Sequence, residues 1–564
     1  MMFPKLLLLA ALAQVMCVSA AVYNWDVTWV NRNPDGLHAR PVIGLNNQWP
    51  LPAITANVGE QITVHLTNQL GNETTSLHFH GLFQNGTNSM DGPTGVTQCP
   101  IGPGETFTQV FQINQPGTYW YHSHNGGQYP DGFRGPILIH DPASPYAGQY
   151  DEELVLTLSD WRVSLVRMQE QGMLTSSHTE PVPNSAIIND NATTSFAMTP
   201  GKTYMVRIIN MANFAAFFVK FDQHEMTIIE VDGVYTVAQK TDLIYLSDGQ
   251  RMSVLITAKS NANQNFAFVG AMDPTMFDTV PSTLDLNATG YLVYNTAKPL
   301  PAEAPTFASY HNGLAFDDFG LVPYDKLALF GPVTRQVVLN VNSGVTDNQN
   351  RFTINNITYT EPKVPSLYTA LSVGKAATNP KVYGYAANAQ VVNYHDIVEV
   401  VVNNFDSGGH PLHLHGHNFQ IVQRSAINAG VYGGTPINPP ATPIRRDVVK
   451  VNQGGYITFR YIANNPDKLF PNPFPSTFAD RESARVWAFH CHIDWHLIAG
   501  FFATFVEAPL QLQSQSVPAD QYQVCKDQGL PYQGNAAANT QNYTDLDGAN
   551  NVPPPINDQG SLVN

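Results

Sequence analysis

Apolar and polar residues alternate along many short stretches of this chain. In residues 59–81, GEQITVHLTNQLGNETTSLHFHG, and in residues 395–417, HDIVEVVVNNFDSGGHPLHLHGH, an alternating stretch leads through an Asn-containing turn to His-x-His-Gly. A period of two is typical of a half-buried β-strand, because successive side chains point to opposite faces. The 41 glycines and 41 prolines suit short strands joined by turns. The pattern predicts an all-β protein, with a helical turn or two near residues 511–529.

The strand pattern recurs along the chain. Residues 116–124, PGTYWYHSH, and 484–492, ARVWAFHCH, are aromatic stretches that end in His-x-His, and residues 201–233 repeat the strand pattern with His224 alone. Repetition of this kind predicts three copies of one Greek-key β-sandwich unit. Loop-rich segments at 140–148 and 295–307 separate the copies. The predicted divisions are a signal peptide at 1–20 and domains at 21–142, 143–300 and 301–564, the last with a C-terminal tail.

Charge limits the classes of function. The chain has 564 residues, and 28 basic against 44 acidic residues give a formal net charge of −16. Such a surface lacks the basic patch that meets phosphates, so we expect no nucleic-acid partner; the negative charge attracts cations instead.

The N-terminus has the pattern of a secretory signal peptide. Lys5 precedes an apolar run, and small residues follow at Ser19 and Ala20. Later stretches fall short of the roughly 18 apolar residues of a membrane span. We therefore expect a secreted monomer, extracellular or in the cell wall, without a membrane anchor. Asn-x-Ser/Thr motifs suit that route as glycosylation sites; they lie at Asn72, Asn85, Asn191, Asn287, Asn356 and Asn542.

Histidines concentrate in four short motifs. Of the 18 histidines, 11 lie in HFH, HSH, HPLHLHGH and HCHIDWH. Residues i and i+2 of a strand point the same way, so each His-x-His pair directs two imidazoles at one place. The pairs of the first and third units can converge where those units meet, which predicts an eight-histidine metal cluster. His417 has no counterpart in the repeat, and we expect ordinary structural roles for His38, His65, His140, His178, His224, His311 and His395.

Cys491 lies between two of these histidines. A cysteine with two histidines in a trigonal site points to blue copper, and His410 and His496 complete such a set. Phe501, ten residues after Cys491, stands where a weak axial thioether is usual and cannot bind metal. Because Cys491 is committed to the histidines, Cys99 and Cys525 form the natural disulfide pair. A zinc hydrolase and a copper-binding protein without activity are the alternative classes.

The four motifs resemble those of the multicopper oxidases. LHFHGLFQNGTNSMDG, TYWYHSH, HPLHLHGH and HCHIDWH match that family in order and spacing, from about residue 22 to residue 510. The resemblance implies three cupredoxin-like domains, four copper ions, and O2 reduced to water by four electrons. It implies type 1 ligands at His410, Cys491 and His496, type 2 ligands at His78 and His413, and type 3 ligands at His80, His122, His124, His415, His490 and His492. Asp91 and Asp494 resemble the acids that supply protons to the oxygen cluster.

Within the family, the chain most resembles fungal ferroxidase-like and laccase-like members. The ferroxidase pattern has three acids near the type 1 site, which correspond to Glu180 in TEPVP, Asp278 in TMFD and Asp406 in FDSGGH. Carboxylates are hard ligands that bind Fe(II) and stabilise Fe(III) more. The resemblance therefore implies a secreted oxidase that couples one-electron oxidation of its substrate, with Fe(II) favoured, to reduction of O2.

Two departures from the ferroxidase pattern keep a phenolic substrate open. Arg351 stands where that pattern has a tyrosine, and its positive charge is expected to repel Fe(II). Residues 467–484 form an insertion where the family has a tight turn. The alternative is a laccase that oxidises phenols or couples phenolic pigment precursors, with Glu180 accepting the proton of the phenol.

Overall fold

The structure is a computed structural model, and it describes residues 20–37, 39–165, 180–306, 316–346, 349–464 and 485–551. Residues 1–19 of the expected signal peptide, the insertion at 467–484, and His38, His178 and His311 lie outside the described residues. Within the described part, strands form six sheets, two for each predicted unit. The predicted all-β fold of three successive β-sandwiches is therefore confirmed. The exact limits of the domains stay predictions.

Strands of the first unit are β1 (Ala20–Arg32), β2 (Arg40–Leu45), β3 (Ile54–Asn57), β4 (Gln61–Asn68), β5 (His78–His80), β6 (Thr106–Gln112), β7 (Gly117–His122) and β8 (Arg134–His140). They form two sheets, with the orders β2-β1-β4-β6 and β3-β8-β7-β5. Strand β4 shows why the pattern specifies a sandwich. Its Ile62, Val64 and Leu66 are fully buried while the alternate residues are half-buried. Burying each such side chain stabilises the fold by roughly 1.5–3 kcal/mol.

Strands of the second unit are β9 (Glu152–Trp161), β10 (Ser185–Ile188), β11 (Thr193–Ala197), β12 (Thr203–Asn210), β13 (Phe217–Phe221), β14 (Met226–Val231), β15 (Val234–Thr241), β16 (Ile244–Leu246), β17 (Arg251–Thr257), β18 (Phe266–Met272) and β19 (Asn287–Val293). Their sheets have the orders β10-β9-β12-β17-β14-β15 and β11-β19-β18-β13-β16.

Strands of the third unit are β20 (Arg335–Thr346), β21 (Gln349–Ile354), β22 (Ala389–Val392), β23 (Ile397–Asn404), β24 (His410–Leu414), β25 (Phe419–Arg424), β26 (Arg445–Arg446), β27 (Val448–Val451), β28 (Tyr456–Ile462), β29 (Arg485–Cys491) and β30 (Phe502–Glu507). The sheet orders are β21-β20-β23-β28-β25-β26 and β22-β30-β29-β24-β27. The middle of the second sheet therefore pairs the two strands that carry the HPLHLHGH and HCHIDWH motifs.

Helices are short, as the sequence pattern predicts. They are α1 (Ser366–Ser372), α2 (Asp494–Ile498), α3 (Pro509–Leu512) and α4 (Ala519–Asp527), and 3-10 turns cover Asn88–Met90, Pro274–Met276, Asp318–Gly320, Gly374–Thr378 and Pro380–Tyr383. Helices α3 and α4 account for the helical turns expected near residues 511–529. Helix α4 carries Cys525, which a disulfide joins to Cys99 of the first unit. No helix among the described residues is long and apolar enough to cross a membrane.

Buried ion pairs join the three units. Arg251 of the second unit donates from both terminal nitrogens to Asp447 of the third at 2.6 Å, and its Nε donates to the carbonyl of Thr118 in the first. Arg446 of the third unit donates to Asp232 of the second at 2.7 and 3.0 Å. Charges this deeply buried require partners, since an unpaired one costs several kcal/mol. The contacts therefore restrict how the units can be arranged around the histidine motifs.

Candidate metal centres

Eight histidines of the first and third units meet at one buried place. In the first unit, antiparallel pairing sets His78 of β5 opposite His122 of β7. In the third unit, His413 of β24 pairs with His490 of β29. The rings of the two units then stack, with centroids 4.0 Å apart for His78 and His415 and 3.9 Å apart for His80 and His413. The four His-x-His pairs therefore lie together at this place, as the sequence predicted.

The eight histidines group into overlapping sets whose nitrogens lie within 4.8 Å of one another. Three all-histidine sets cover all eight side chains; they are His78 with His80 and His413, His80 with His122 and His492, and His124 with His415 and His490. Each set offers three ligand nitrogens to one point. An arrangement of three neighbouring nitrogen sites suits a cluster of imidazole-binding metal ions.

Several imidazoles of this cluster have lowered pKa values, and hydrogen bonds orient them for a metal. Burial lowers the pKa of His490 to about 4, and burial with the neighbouring rings lowers the pKa of His122 and His413 well below the ordinary value. The Nδ1–H of His122 donates to the Ser123 carbonyl, and that of His413 to the Asp447 carbonyl, both at 2.8 Å. Their buried Nε2 atoms have no protein partner, which is the state of a histidine that binds metal.

A second buried site holds the lone cysteine motif. The Sγ of Cys491 lies 3.4 Å from Nδ1 of His496 and 3.8 Å from Nδ1 of His410, and the two ring nitrogens are 3.1 Å apart. Cys491 ends β29, and His496 lies on helix α2 directly after it. Among the described residues, Cys491 is the free cysteine. A thiolate with two imidazoles in this arrangement fits the trigonal copper site expected from the sequence.

Aromatic side chains close the axial side of the cysteine site. The Phe501 ring lies 5.1 Å from the His410 ring, and both side chains are fully buried. Phe352 of β21 packs 4.2 Å from the His496 ring and 5.6 Å from Phe501. Phe501 therefore stands beside the site without a metal-binding atom, as expected, and the contribution of Phe352 was not foreseen.

Carboxylates contact the outer nitrogen of both histidines of the cysteine site. Asp406 Oδ2 lies 3.1 Å from Nε2 of His410, and Glu180 Oε1 is hydrogen-bonded to Nε2 of His496. Burial raises the pKa of Asp406, but the hydrogen bond and charge of His410, together with the bond from Ser343, leave that pKa well below its ordinary value. The structure thus brings together two of the three acids that the sequence singled out.

The third acid, Asp278, lies close to the other two. It follows the 3-10 turn Pro274–Met276 and is exposed. Desolvation raises the pKa of Asp278, and the negative charges of Glu180 and Asp406 raise it further. The three acids therefore share one electrostatic environment at the outer edge of the cysteine site, even though they come from different segments of the chain.

Two further acids border the histidine cluster. Asp91 Oδ2 lies 2.8 Å from Nδ1 of His415, and burial raises the pKa of Asp91 against the opposing effect of His78. Asp494 is buried at the start of helix α2 and lines a small cavity with His122, His124, His490 and His492. Both acids lie where they can reach the cluster or the space next to it.

Asp447 is a contact of the cluster that the sequence motifs did not reveal. Its Oδ1 lies 3.3 Å from Nε2 of His80, and its carboxylate is clamped by Arg251. The only sequence signal is its place after two arginines in RRDVV, and an acid in such a run is usually a surface residue. His417, by contrast, lies outside the clusters and pairs with buried Glu507 at 2.9 Å.

Comparison with known proteins agrees with this geometry. Residues 26–144, 152–297 and 359–511 each match a sequence family described as multicopper oxidase. The chain belongs to the multicopper oxidase family, whose members are copper-containing oxidoreductases that use O2.

Similar proteins narrow the position within the family. The iron transport multicopper oxidase fetC of Epichloe festucae is 46% identical over 555 residues, covering 96% of this chain and 86% of that protein. The corresponding FET3 of Saccharomyces cerevisiae is 42% identical, covering 94% and 82%. The crystal structure of Fet3p, a multicopper oxidase that functions in iron import, superposes with a TM-score of 0.88 at 40% identity, covering 95% and 99%. A laccase from Botrytis aclada gives a TM-score of 0.76 at 28% identity, covering 90% and 91%.

Proposed function

We propose that this protein is a ferroxidase that takes electrons from Fe(II) at the cysteine site and uses them to reduce O2 to water. The observation that carries the proposal is the pair of carboxylates on the outer nitrogens of His410 and His496. These are the histidine atoms that face away from Cys491, so a cation bound by the acids is one hydrogen bond from a copper ligand. The similar proteins fetC and FET3 are both described as iron transport multicopper oxidases, which supports the same substrate.

The charge at this edge favours a hard cation. Glu180, Asp278 and Asp406 repel one another, which is why the neighbouring acids raise the pKa of Asp278. A divalent cation relieves that repulsion, and the trivalent product relieves it more, so the carboxylates lower the potential of the iron and assist electron loss. A neutral phenol carries no charge that would relieve this repulsion.

For the resident copper, we propose His410, Cys491 and His496 as the type 1 ligands and His78 with His413 as the type 2 ligands. The sets His80, His122, His492 and His124, His415, His490 would hold the type 3 pair. When bound, these four copper ions take up electrons singly and deliver four to O2. Strand β29 supplies the connection, because Cys491 of the first site is the peptide neighbour of both His490 and His492 of the second.

Protons for O2 reduction are assigned to Asp91 and Asp494. Asp91 contacts His415 directly, and burial raises its pKa, which suits a group that holds and releases a proton. Asp494 borders the cavity next to the histidines of the proposed type 3 pair. The two acids would thus deliver protons to the cluster by contact with His415 and through the adjoining cavity.

Phenol oxidation is the second candidate function, and one observation favours it. Phe405, next to Asp406 in the chain, is 57% exposed, so an aromatic ring has an apolar surface to lie on at the edge of the cysteine site. Glu180 at His496 could then accept the phenolic proton. The expected repulsion of Fe(II) by Arg351 remains a prediction; that side chain is buried and donates to Gln349.

Export of the protein is part of the proposal. The Cys99–Cys525 disulfide suits an oxidising compartment. Of the proposed glycosylation sites, Asn72, Asn191, Asn356 and Asn542 are exposed, and Asn85 and Asn287 are half-buried. The proposal is therefore that the protein is secreted and acts as a monomer.

The test compares Fe(II) with a neutral diphenol in the variant Glu180→Ala/Asp406→Ala. Each charge-assisted contact is worth about 1.5–3 kcal/mol, so kcat/KM for Fe(II) should fall by roughly a hundredfold or more, while that for the diphenol falls much less. Glu225→Ala, which removes an exposed acid paired with Lys240 on the second unit, is the matched control and should change neither. An equal fall for both donors, or a fall for the diphenol alone, contradicts the proposal.

A further inference from the structure

A chain of hydrogen bonds links the third unit to the turn that carries Asp278. Lys450 Nζ donates to the hydroxyl of Tyr245 at 2.8 Å, and that hydroxyl donates to Asp273 Oδ2 at 2.9 Å. The other carboxylate oxygen, Oδ1, accepts from the backbone N–H of Thr275 at 3.0 Å and from its hydroxyl at 2.7 Å. Asp273 is thereby the N-cap of the 3-10 turn Pro274–Met276. This turn ends two residues before Asp278.

Lys450, the first residue of these hydrogen bonds, lies beside the cysteine site. Lys450 lies on β27 opposite Pro411 of β24, the residue after His410. Its stem passes so close to Gly409 that a Cβ added there would lie 2.8 Å from Lys450 Cε. The side chain then crosses to the second unit, where Nζ also lies 3.8 Å from the sulfur of Met276. The backbone that carries His410 is thus tied to the turn of the second unit by one side chain.

The turn needs such support because its acid is exposed. Asp278 has no hydrogen bond to a histidine of the cysteine site, whereas Asp406 and Glu180 each have one. Asp278 keeps its place near them although their charges repel it. The buried Phe277, 5.2 Å from Phe214, anchors the end of the turn, and the Asp273 cap anchors its start. A short 3-10 turn depends strongly on its cap, since it has few internal hydrogen bonds.

We propose that Lys450 and Tyr245 are positioning residues for Fe(II): through Asp273 they hold the Pro274–Met276 turn so that Asp278 faces Glu180 and Asp406. The inference rests on the proposed ferroxidase function and deepens it, because it assigns selectivity for Fe(II) to residues that do not touch the iron. A neutral aromatic donor does not use Asp278, so loss of these hydrogen bonds should leave the oxidation of that donor unchanged. Lys450 and Tyr245 also link the geometry of the acid set to the relative placement of the second and third units.

The test uses the copper-loaded, full-length protein with Tyr245→Phe, which deletes the linking hydroxyl and keeps the ring packed against Phe218. Loss of one buried hydrogen-bond link should raise KM for Fe(II) by about tenfold. The kcat for Fe(II), the kinetics with a neutral diphenol and the type 1 absorption should stay within about twofold of the parent. Lys450→Met, which keeps an unbranched stem over Gly409, should act in the same direction and carries the test if Tyr245→Phe fails to load copper.

Coupling to Asp278 separates positioning from a general structural role. In an Asp278→Ala background, Tyr245→Phe should add less than about twofold to the KM for Fe(II), because the acid that it positions is gone. Tyr146→Phe, the same change at a second-unit tyrosine that donates to the Thr236 carbonyl, is the control and should leave both donors unaffected. A full Tyr245→Phe effect without Asp278, or an equal loss with the diphenol, overturns the proposal.

Failure of this inference can be told apart from failure of the proposed function. If the parent protein prefers Fe(II), and Glu180→Ala/Asp406→Ala removes the preference while Tyr245→Phe and Lys450→Met do not, only the positioning role is wrong. If the parent protein shows no preference for Fe(II) over the diphenol, the ferroxidase assignment is wrong and the positioning role falls with it. If the preference exists but survives in the double alanine variant, the acids do not create it and the positioning role is wrong for that reason.

Discussion

In the proposed ferroxidase, side chains at the cysteine site divide into those that bind the metal and those that select the substrate. Cys491, His410 and His496 offer their inner atoms to one point, while the outer ring nitrogens of the histidines contact Asp406 and Glu180. In this proposal the same imidazole would bind copper on one edge and receive an electron from the other. Phe501 adds no ligand, and the absence of an axial thioether there is expected to raise the copper potential.

Replacement of Cys491 by serine tests the metal assignment. Only the thiolate gives a trigonal copper site its blue colour, so Cys491→Ser should abolish absorption at about 600 nm and the oxidation of every donor. The histidine cluster does not use Cys491, so roughly three of four copper ions should remain by elemental analysis. An unchanged melting temperature is the control for folding. Retained blue colour in this variant would falsify the type 1 site.

Strands and turns explain how far local patterns alone could predict the site. A period of two along β5, β7, β24 and β29 was enough to pair the histidines, because strand geometry fixes which side chains point together. The partition of those histidines into sets depends on how the first unit meets the third, which no local pattern contains. Helix α2 likewise interrupts HCHIDWH after His492, since the chain must turn to bring His496 beside Cys491.

Contacts between units were the part that the sequence could not predict. Asp447 sits in an ordinary-looking RRDVV segment, yet folding sets it between His80 and Arg251. In the sequence, Lys450 is an ordinary polar residue of an alternating strand. Its hydrogen bond to the hydroxyl of Tyr245 forms only when the second and third units meet. The partners in these pairs are 196 to 367 residues apart in the sequence. Local periodicity cannot reveal such a pair, because each residue is explained only by its distant partner.

The turn after β24 provides a prediction at the level of one element. Gly416 has φ +70°, and an added Cβ would lie 2.4 Å from the ring of buried Trp487. Gly416→Ala combines left-handed backbone with overpacking, so it should cost roughly 2–5 kcal/mol and displace neighbouring His415. Thermal unfolding and copper content measure both effects.

Gly430→Ala is the control for backbone strain alone. Gly430 has φ +80°, with nothing within 4 Å of an added Cβ. It should cost only about 1 kcal/mol and leave the copper content unchanged. Equal effects of the two substitutions would mean that contact with Trp487 does not constrain the turn.

Across the whole molecule, the proposed function combines a net negative charge with a buried interior that could hold metal ions. The formal net charge of −16 attracts cations from solution, and the three acids of the cysteine site lie at the outer edge of the metal-binding interior. Buried arginines hold the three units around that interior, with Arg251 touching all three and Arg446 joining the second to the third. Function and assembly therefore depend on the same unit boundaries.

The contact of Arg446 between the second and third units should make stability at low pH depend on this boundary. Burial raises the pKa of Asp318, but Arg424 and Arg446 more than offset that effect and lower the pKa to about 2. A depressed carboxyl pKa contributes stability above the unfolded value of about 4 and loses it as pH falls towards 2, because the unfolded chain binds the proton first. Arg446 also holds Asp232, so loss of the Asp318 charge weakens the joint between the second and third units.

Substitution of Asp318 by asparagine should therefore remove one part of the acid sensitivity. The parent should lose on the order of 2 kcal/mol more stability than Asp318→Asn between pH 5 and about 2, seen as a steeper fall of melting temperature. At neutral pH the variant should be the less stable of the two, since it leaves two arginines with one partner fewer. Asp317→Asn is the matched control: Asp317 also pairs with Arg424 but is 69% exposed, so its removal should leave the pH slope as in the parent. Parallel slopes for the parent and Asp318→Asn would show that this buried charge does not govern the acid response.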